Sequence, residues 1–177
     1  LQETFDAGMR SFINEGKLLA SFDHPSLVKV YRFWEANGTA YMVMPHYPGR
    51  TLKEVRPTLD GAPDERWLRR LINPLLSALD VLHRSHVYHR DVSPDNILLL
   101  PDGHPILLDF GSARQVAADR TQAITAILKP NFAAIEQYGD VPGLRQGAWT
   151  DLYALAGVVH FMITGAPPTP AALRAVK

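Results

Sequence analysis

The chain has 177 residues, of which 46% are hydrophobic and 20% charged, and its 18 Lys and Arg residues balance 18 Asp and Glu residues. This composition is typical of a globular domain, and the charge balance gives no reason to expect nucleic acid or an anionic membrane as a partner. Because cysteine is absent, disulfides and thiolate metal sites are excluded.

The two ends of the sequence indicate a piece of a longer protein. The chain begins at Leu1 without a basic region typical of a secretory signal, and it stops at Lys177 within a helical pattern. The longest apolar run, Leu152–Ile163, is interrupted by His160 and is too short to span a bilayer. We therefore expect a cytoplasmic location, with any membrane anchor lying outside these residues.

The first part of the chain predicts a helix followed by a β-hairpin. In chain order the elements are a helix over residues 4–21, a strand over Leu27–Trp34, a turn at Asn37-Gly38, a return strand over Ala40–Met44 and a loop over Pro45–Arg50. Asn-Gly between two apolar stretches is the strongest of these signals, because both residues accept the positive φ of a tight hairpin turn.

The rest of the chain predicts mainly helices around one small hairpin. In chain order these are a short helix begun by the capping box Thr51–Glu54, a long helix over Asp64–His86, strands at Ile97–Leu100 and Pro105–Leu108, a mostly loop region over residues 112–148, and a buried helix over Thr150–Thr164. Pro74 should kink the long helix, because it removes a donor and crowds the preceding turn. The order of elements indicates an α+β fold in two unequal lobes.

Two short motifs carry the chemistry. His89 to Asn96 reads H-R-D-x-x-x-x-N, and Asp109-Phe110-Gly111 follows after two short predicted strands. Asp91 and Asp109 supply carboxylates and Asn96 an amide oxygen, which are the groups that phosphoryl transfer needs as proton acceptor and magnesium ligands.

On these motifs the chain resembles a protein kinase catalytic domain, in particular the bacterial eukaryotic-like serine/threonine kinases. The resemblance implies a partial two-lobed kinase fold, from the regulatory helix of the small lobe (αC of the family) to the central helix of the large lobe (αF). Residues 1–44 would be the partial small lobe, 45–50 the hinge and 51–177 the partial large lobe. ATP and Mg²⁺ would be the cofactors, and a protein Ser or Thr the acceptor.

The resemblance also implies an ATP-binding side of the site. Glu15 matches the glutamate that pairs with a phosphate-binding lysine, yet no lysine precedes Lys17 and the Gly-rich phosphate loop is absent. Met44 would be the gatekeeper, and the Pro45 carbonyl and Tyr47 N–H would meet the adenine edge, since Pro45 has no N–H to donate. His46 should face solvent.

Further matches concern the support of the site. Arg90 would pair with a phosphorylated segment, with Thr121 and Thr125 as candidate phosphosites, or would form a structural ion pair. Glu136 would need an arginine from a later helix and could remain without a partner in these residues. A stacked apolar column linking the lobes would be anchored by Asp151. A simple N-cap of its own helix is an alternative role for Asp151 that does not exclude the first. The column residues are Leu19, Val30, His89 and Phe110.

One departure from the family pattern is informative. Serine/threonine kinases usually carry a lysine two residues after the catalytic aspartate, where this chain has Ser93, and a threonine where this chain has Lys129. We therefore expect the two positions to have exchanged roles, so that the Lys129 ammonium lies beside Asp91 and the γ-phosphate. The alternative is an exposed loop lysine.

Two functions from different classes follow from these residues. The first is an ATP-dependent serine/threonine protein kinase, of which the 177 residues alone should be weakly active or inactive because the phosphate clamp is missing. The second is a pseudokinase that binds a nucleotide or a protein without transferring phosphate. A small-molecule kinase is disfavoured by Arg90 and the full Asp-Phe-Gly motif, and the scattered histidines lack the spacing of a zinc site.

Overall fold

The fold is that of a computed structural model, which describes residues 13, 17–18, 20–108, 128–139 and 143–176 and the backbone of residues 114–115. The described residues of the predicted first helix are helical up to Ala20, and the remainder of that helix lies outside the described residues. Within these ranges, no helix combines the length and the apolar character that crossing a bilayer requires.

Strands and helices occur in separate runs along the described part of the chain, in agreement with the predicted α+β class. The strands are β1 (Arg32–Ala36), β2 (Thr39–Val43), β3 (Arg50–Thr51), β4 (Val87–Tyr88), β5 (Ile97–Leu99), β6 (Pro105–Leu107) and β7 (Arg114–Gln115). The α-helices are α1 (Leu52–Val55), α2 (Glu65–Arg84), α3 (Ala148–Thr164) and α4 (Ala171–Ala175), with 3₁₀ turns at Arg56–Thr58 and Ile135–Gln137. The strands pair antiparallel as β1–β2, β3–β5–β6 and β4–β7.

The predicted hairpin forms with its tight turn at Asn37-Gly38. Both turn residues have positive φ, 52° and 67°, and Ala36 pairs with Thr39 across the turn. This geometry matches the twist of the two strands, which is why Asn-Gly is favoured there. The rings of Trp34 and Tyr41, which face each other in the register, stack with centroids 5.3 Å apart.

The first strand begins five residues later than the predicted start at Leu27, which is a correction to the sequence interpretation. The reason is that residues 26–28 hydrogen-bond to β6, whereas Tyr31, directly before β1, already donates its N–H to the Val43 carbonyl of the hairpin at 2.8 Å. The Val28 N–H donates to the Leu107 carbonyl at 3.1 Å, and the Leu107 N–H donates to the Ser26 carbonyl at 2.8 Å. The apolar residues Leu27, Val28 and Val30 are therefore buried in the main core.

The capping box predicted at Thr51 is confirmed at the start of α1. The Glu54 N–H donates to the Thr51 hydroxyl at 3.3 Å, and the Thr51 N–H donates to the Glu54 carboxylate at 2.8 Å. The backbone hydrogen bond, followed by the Thr51 hydroxyl, holds the pKa of Glu54 below its ordinary value. The box fixes the start of α1 directly after the candidate hinge.

The long helix α2 forms the centre of the core. Asp64 caps its start by accepting the Trp67 N–H at 2.7 Å, and the helix continues without a break past Pro74. Its buried stripe follows the predicted 3.6-residue period and consists of Leu71, Leu75, Ala78, Leu79 and Leu82. The same core contains residues of β4, β5 and β6 and the buried face of α3. The strands that flank the candidate site therefore share one core with both α2 and α3.

Candidate active site

Asp91 and Asn96 lie together in the loop of residues 89–96 between β4 and β5, called the HRD loop below. The Asn96 amide nitrogen donates to the Asp91 carboxylate oxygen Oδ2 at 2.7 Å and to the Asp91 carbonyl at 2.9 Å. Because its nitrogen is used in this way, the remaining oxygen Oδ1 of Asn96 is the group left to bind a ligand. Within the described residues, no protein group binds the second carboxylate oxygen of Asp91, Oδ1.

Lys129 occupies the position that the exchange hypothesis predicts. Its ammonium nitrogen lies 3.2 Å from Asp91 Oδ2 and donates to the hydroxyl of the buried Ser93 at 2.8 Å. The alternative, an exposed loop lysine, is therefore wrong. The arrangement places a positive charge beside the candidate catalytic carboxylate although the usual lysine of the HRD loop is replaced by serine.

Asp151 supports the HRD loop from the buried face of α3. Its carboxylate accepts the His89 N–H at 2.9 Å and the Arg90 N–H at 2.7 Å, as predicted for loop N–H donors. The alternative, a cap of its own helix, is wrong, because the N-cap residue of α3 is Gly147. Asp151 is fully buried, and these hydrogen bonds compensate the cost of burying its charge.

His83 is a third partner of Asp151 that the sequence interpretation missed. Its Nε2 lies 2.7 Å from Asp151 Oδ2, in the last turn of α2. The sequence analysis included His83 only as part of the long helix, and the fold brings it to α3. The one available signal was a polar residue directly after the buried Leu82.

The ring of His89 connects the HRD loop to the end of β6. Nε2 lies 2.9 Å from the Leu108 carbonyl, and Nδ1 accepts the Asp91 N–H at 3.3 Å. The hydrogen is therefore on Nε2, because Nδ1 is an acceptor in this pattern. Of the predicted apolar column, His89 and Val30 are buried, while Leu19 and Phe110 lie outside the described residues.

Several predicted site residues lie outside the described residues: Glu15, Asp109, Thr121 and Thr125. The nearest described neighbour of Asp109 in the chain is Leu108, whose N–H donates to the Asn96 carbonyl at 2.8 Å. The chain therefore approaches position 109 in direct contact with the HRD loop. Within the described residues, no group of three or more His, Asp or Glu side chains could hold a metal ion.

The candidate adenine contacts occupy the connection between β2 and β3. Met44 is exposed directly after β2, and His46 is exposed as expected. Tyr47 is anchored, because its hydroxyl accepts the Lys29 N–H at 3.1 Å and its carbonyl accepts the Gly49 N–H at 2.8 Å. In the described part of the chain, no protein group binds the Tyr47 N–H or the Pro45 carbonyl, so both are available to a nucleotide.

Glu136 corrects another expectation. The Thr150 hydroxyl donates to its carboxylate at 2.7 Å, so Glu136 does not lack a partner within the described residues. The same Thr150 oxygen accepts the Gly147 N–H at 3.0 Å at the start of α3. A hydroxyl at the N-terminus of α3 thus provides the hydrogen bond, which could not be predicted from the distant sequence positions.

The short helix α1 also contacts the HRD loop. The Lys53 ammonium lies 2.8 Å from Asp95 at the surface, and the Lys53 N–H donates to the Pro94 carbonyl at 3.2 Å. The hydrogen bond to Asp95, reinforced by its charge, raises the pKa of Lys53. This pair connects the residue before Asn96 to the helix that follows the candidate hinge.

The chain is similar to several known proteins. A family model described as "Protein kinase domain" matches residues 2–175. A probable serine/threonine-protein kinase PknB of Bifidobacterium longum is 30% identical over 176 residues, covering 92% of this chain and 25% of the relative. The serine/threonine-protein kinase PknB of Mycobacterium leprae is 32% identical over 163 residues, covering 89% of this chain and 26% of the relative.

A solved structure titled "PpkA-294 apo form" is 46% identical in sequence to this chain. It has a TM-score of 0.82 and covers 99% of this chain and 61% of that chain. Identity at this level, together with the TM-score, supports both family and fold. The chain spans about a quarter of the length of the two curated relatives.

Proposed function

Because this chain belongs to the protein kinase family, we propose that it is the catalytic part of an enzyme that transfers the γ-phosphate of ATP to Ser or Thr hydroxyl groups of proteins. The observation that carries this proposal is the cluster of Asp91, Ser93, Asn96 and Lys129, which unites a carboxylate, an amide oxygen and an ammonium group. The preference for Ser and Thr rests on the curated relatives, which are named as serine/threonine kinases.

Asp91 is the proposed catalytic residue. Its Oδ1 atom orients the acceptor hydroxyl, whose oxygen forms a bond to the γ-phosphorus while the bond to the oxygen of ADP breaks. The hydroxyl proton passes to the Asp91 carboxylate late in this exchange. Asn96 and Lys129 hold Oδ2, so that Oδ1 keeps one orientation toward the acceptor.

Lys129 is the proposed electrostatic residue of the transfer. Its ammonium group lies beside Asp91 and is fixed by Ser93, and both the Lys129 and the Asp91 side chains are partly buried. A positioned cation is most effective where negative charge is spread over the transferred phosphoryl group. Lys129 and Ser93 together would thus replace the lysine that most family members carry in the HRD loop.

The donor set fits a magnesium ion. Mg²⁺ prefers hard oxygen ligands, and the Asn96 amide oxygen and the Asp109 carboxylate are of this type. The nitrogen of Asn96 is bound by Asp91, which leaves the oxygen for the metal. When bound with ATP, Mg²⁺ neutralises the phosphate charge, while the protein residues supply the orientation of the acceptor.

The ATP-binding end of the site is assigned from the family resemblance. We assign residues 45–50 to a hinge between a small lobe (1–44) and a large lobe (51–177). The Pro45 carbonyl and the Tyr47 N–H would bind the adenine edge, Met44 would line the adenine pocket, and Glu15 would pair with a phosphate-binding lysine. The adenine assignment is supported by the Pro45 carbonyl and the Tyr47 N–H, which no protein group within the described residues binds.

Phosphate transfer by the complete domain with its natural flanking sequence tests this proposal. With Mg²⁺, γ-labelled ATP and a Ser/Thr peptide library, we expect label on Ser and Thr, and a loss of at least about 100-fold in the Asp91→Asn variant. Nucleotide binding without transfer would instead support the pseudokinase alternative. The 177 residues alone should transfer phosphate weakly or not at all, because they contain no lysine before Lys17 to hold the phosphates.

A further inference from the structure

Gln137 is the last residue of the 3₁₀ turn that contains Glu136, and it connects this turn with the HRD loop. Its side-chain nitrogen donates to the Arg90 carbonyl at 2.8 Å, and its side-chain oxygen accepts the Ala134 N–H at 3.0 Å. Building on the proposed kinase function, we propose that Gln137 is a positioning residue. Its amide group holds the peptide bond between Arg90 and Asp91 in the orientation that Asp91 needs for catalysis.

The backbone at Arg90 requires such support. Arg90 has a φ of 65°, in the left-handed region that is unfavourable for a residue with a Cβ atom. Such a conformation persists only where surrounding groups enforce it. Asp151 fixes the N–H of Arg90 at 2.7 Å, and Gln137 fixes its carbonyl, so contacts from two other segments hold this residue.

The peptide bond that Gln137 holds leads directly into Asp91. Its carbonyl belongs to Arg90, and its N–H belongs to Asp91 and donates to the His89 ring at 3.3 Å. Rotation of this unit would move the Asp91 carboxylate relative to Lys129, which lies on the same segment as Gln137. Gln137 therefore acts through Asp91 and does not itself contact the acceptor.

The two hydrogen bonds of Gln137 can be separated by one substitution. A Gln137→Glu variant keeps an oxygen that accepts the Ala134 N–H, but it loses the donor to the Arg90 carbonyl. In the complete domain we expect kcat to fall at least about tenfold, with the KM for ATP changed less than about twofold. As the pH is lowered toward 5, close to the ordinary glutamate pKa of about 4.3, activity relative to the unchanged protein should rise, because a protonated carboxyl group can donate again.

Gln146 provides a matched control. Its side-chain nitrogen donates to the Glu136 carbonyl at 3.4 Å, a longer contact that does not involve the HRD loop. Gln146→Glu makes the same chemical change on a neighbouring segment, and kcat should remain within about twofold. If Gln137→Glu does not fold, Gln137→Met has similar length without the polar atoms and should show the same loss of kcat.

Hydrogen exchange gives a readout that does not depend on turnover. Peptides covering residues 89–96 should exchange faster in Gln137→Glu than in the unchanged protein or in Gln146→Glu. Failure of the unchanged protein to transfer phosphate would refute the proposed function, while faster exchange would still support the role of Gln137. The positioning role of Gln137 would be overturned if Gln137→Glu left both kcat and the exchange of residues 89–96 unchanged. It would also be overturned if Gln146→Glu lost as much kcat as Gln137→Glu.

Discussion

The ammonium nitrogen of Lys129 lies 3.2 Å from Asp91 Oδ2, although the two residues belong to different segments of the chain. The family resemblance leads us to expect a lysine two residues after Asp91, where this chain has Ser93. Here the cation enters with the segment of residues 128–139, so the electrostatics at Asp91 depend on where that segment lies. Ser93 completes the arrangement by accepting a hydrogen bond from the same nitrogen at 2.8 Å.

The first prediction concerns this exchange of positions. Lys129→Thr in the complete domain should lower kcat about 100-fold, because it removes the cation from the transferred phosphate while leaving the ATP contacts in place. The double variant Lys129→Thr, Ser93→Lys should recover at least about tenfold of this loss, because it returns the cation from the HRD loop. Steady-state kinetics with γ-labelled ATP measure both values.

Lys29→Met serves as the control for loss of a lysine, since Lys29 pairs with Asp23 at an exposed position. Its kcat should stay unchanged. The exchange of roles would be refuted if Lys129→Thr retained full activity, or if the double variant were no better than the single one.

The second prediction concerns the buried anchor Asp151. Asp151→Asn should lower the free energy of unfolding by about 2–4 kcal/mol, because the variant places an NH₂ group toward a backbone N–H or His83. Urea unfolding measures this change. Asp80→Asn is the control: Asp80 pairs with Arg84 at an exposed site, and its loss should cost at most about 1 kcal/mol. Equal effects of the two substitutions would contradict the assigned role.

The third prediction concerns pH and the loop that joins the first helix to β1. Burial, followed by the charge of nearby His104, lowers the pKa of His24 below 6.5. The folded state therefore binds fewer protons than the unfolded state, so this stabilisation is present above pH 6.5 and is lost as the pH falls below it. Protonation of the His24 ring would break the hydrogen bond that Nδ1 accepts from the Ser26 N–H at 3.0 Å.

Urea unfolding at pH 7.5 and 5.5 checks this expectation. The loss of stability between the two pH values should be smaller in His24→Gln than in the unchanged protein, while His46→Gln should leave it as it was. A pH dependence that is the same in His24→Gln would show that His24 does not contribute.

The fourth prediction concerns Gly49, directly after the candidate adenine contacts. A Cβ atom at this position would lie 2.7 Å from the Leu99 carbonyl and 2.9 Å from the Leu98 side chain. Gly49→Ala should therefore destabilise the fold by about 1–3 kcal/mol and separate the hinge from β5. The midpoint temperature of thermal unfolding and the affinity for ATP should both fall. Unchanged values of both would contradict the close approach of Gly49 to β5.

Local patterns were sufficient to predict much of the fold and the centre of the site. The turn at Asn37-Gly38, the capping box at Thr51 and the two main helices depend on neighbouring residues, so their sequence signals are direct. Lys129 could also be placed, because the family motifs fix its distance along the chain from Glu136.

Contacts between distant segments could not be predicted in the same way. Leu27 was predicted as the start of a strand, yet its neighbours Ser26 and Val28 hydrogen-bond to β6. Tertiary pairing therefore overrides the local strand propensity. His83, Thr150 and Gln137 reach Asp151, Glu136 and Arg90 only after the chain has folded. Polar residues of this kind carry no periodic signal, so their partners follow from the structure.

A crystal structure of the complete domain with Mg²⁺ and a non-hydrolysable ATP analogue tests the central claim most directly. We predict that the Asn96 amide oxygen and the Asp109 carboxylate bind the metal at about 2.0–2.1 Å, with Asp91 and Lys129 beside the γ-phosphate. Bound nucleotide with Asp109 turned away from Asn96, and with no metal shared between them, would contradict the account.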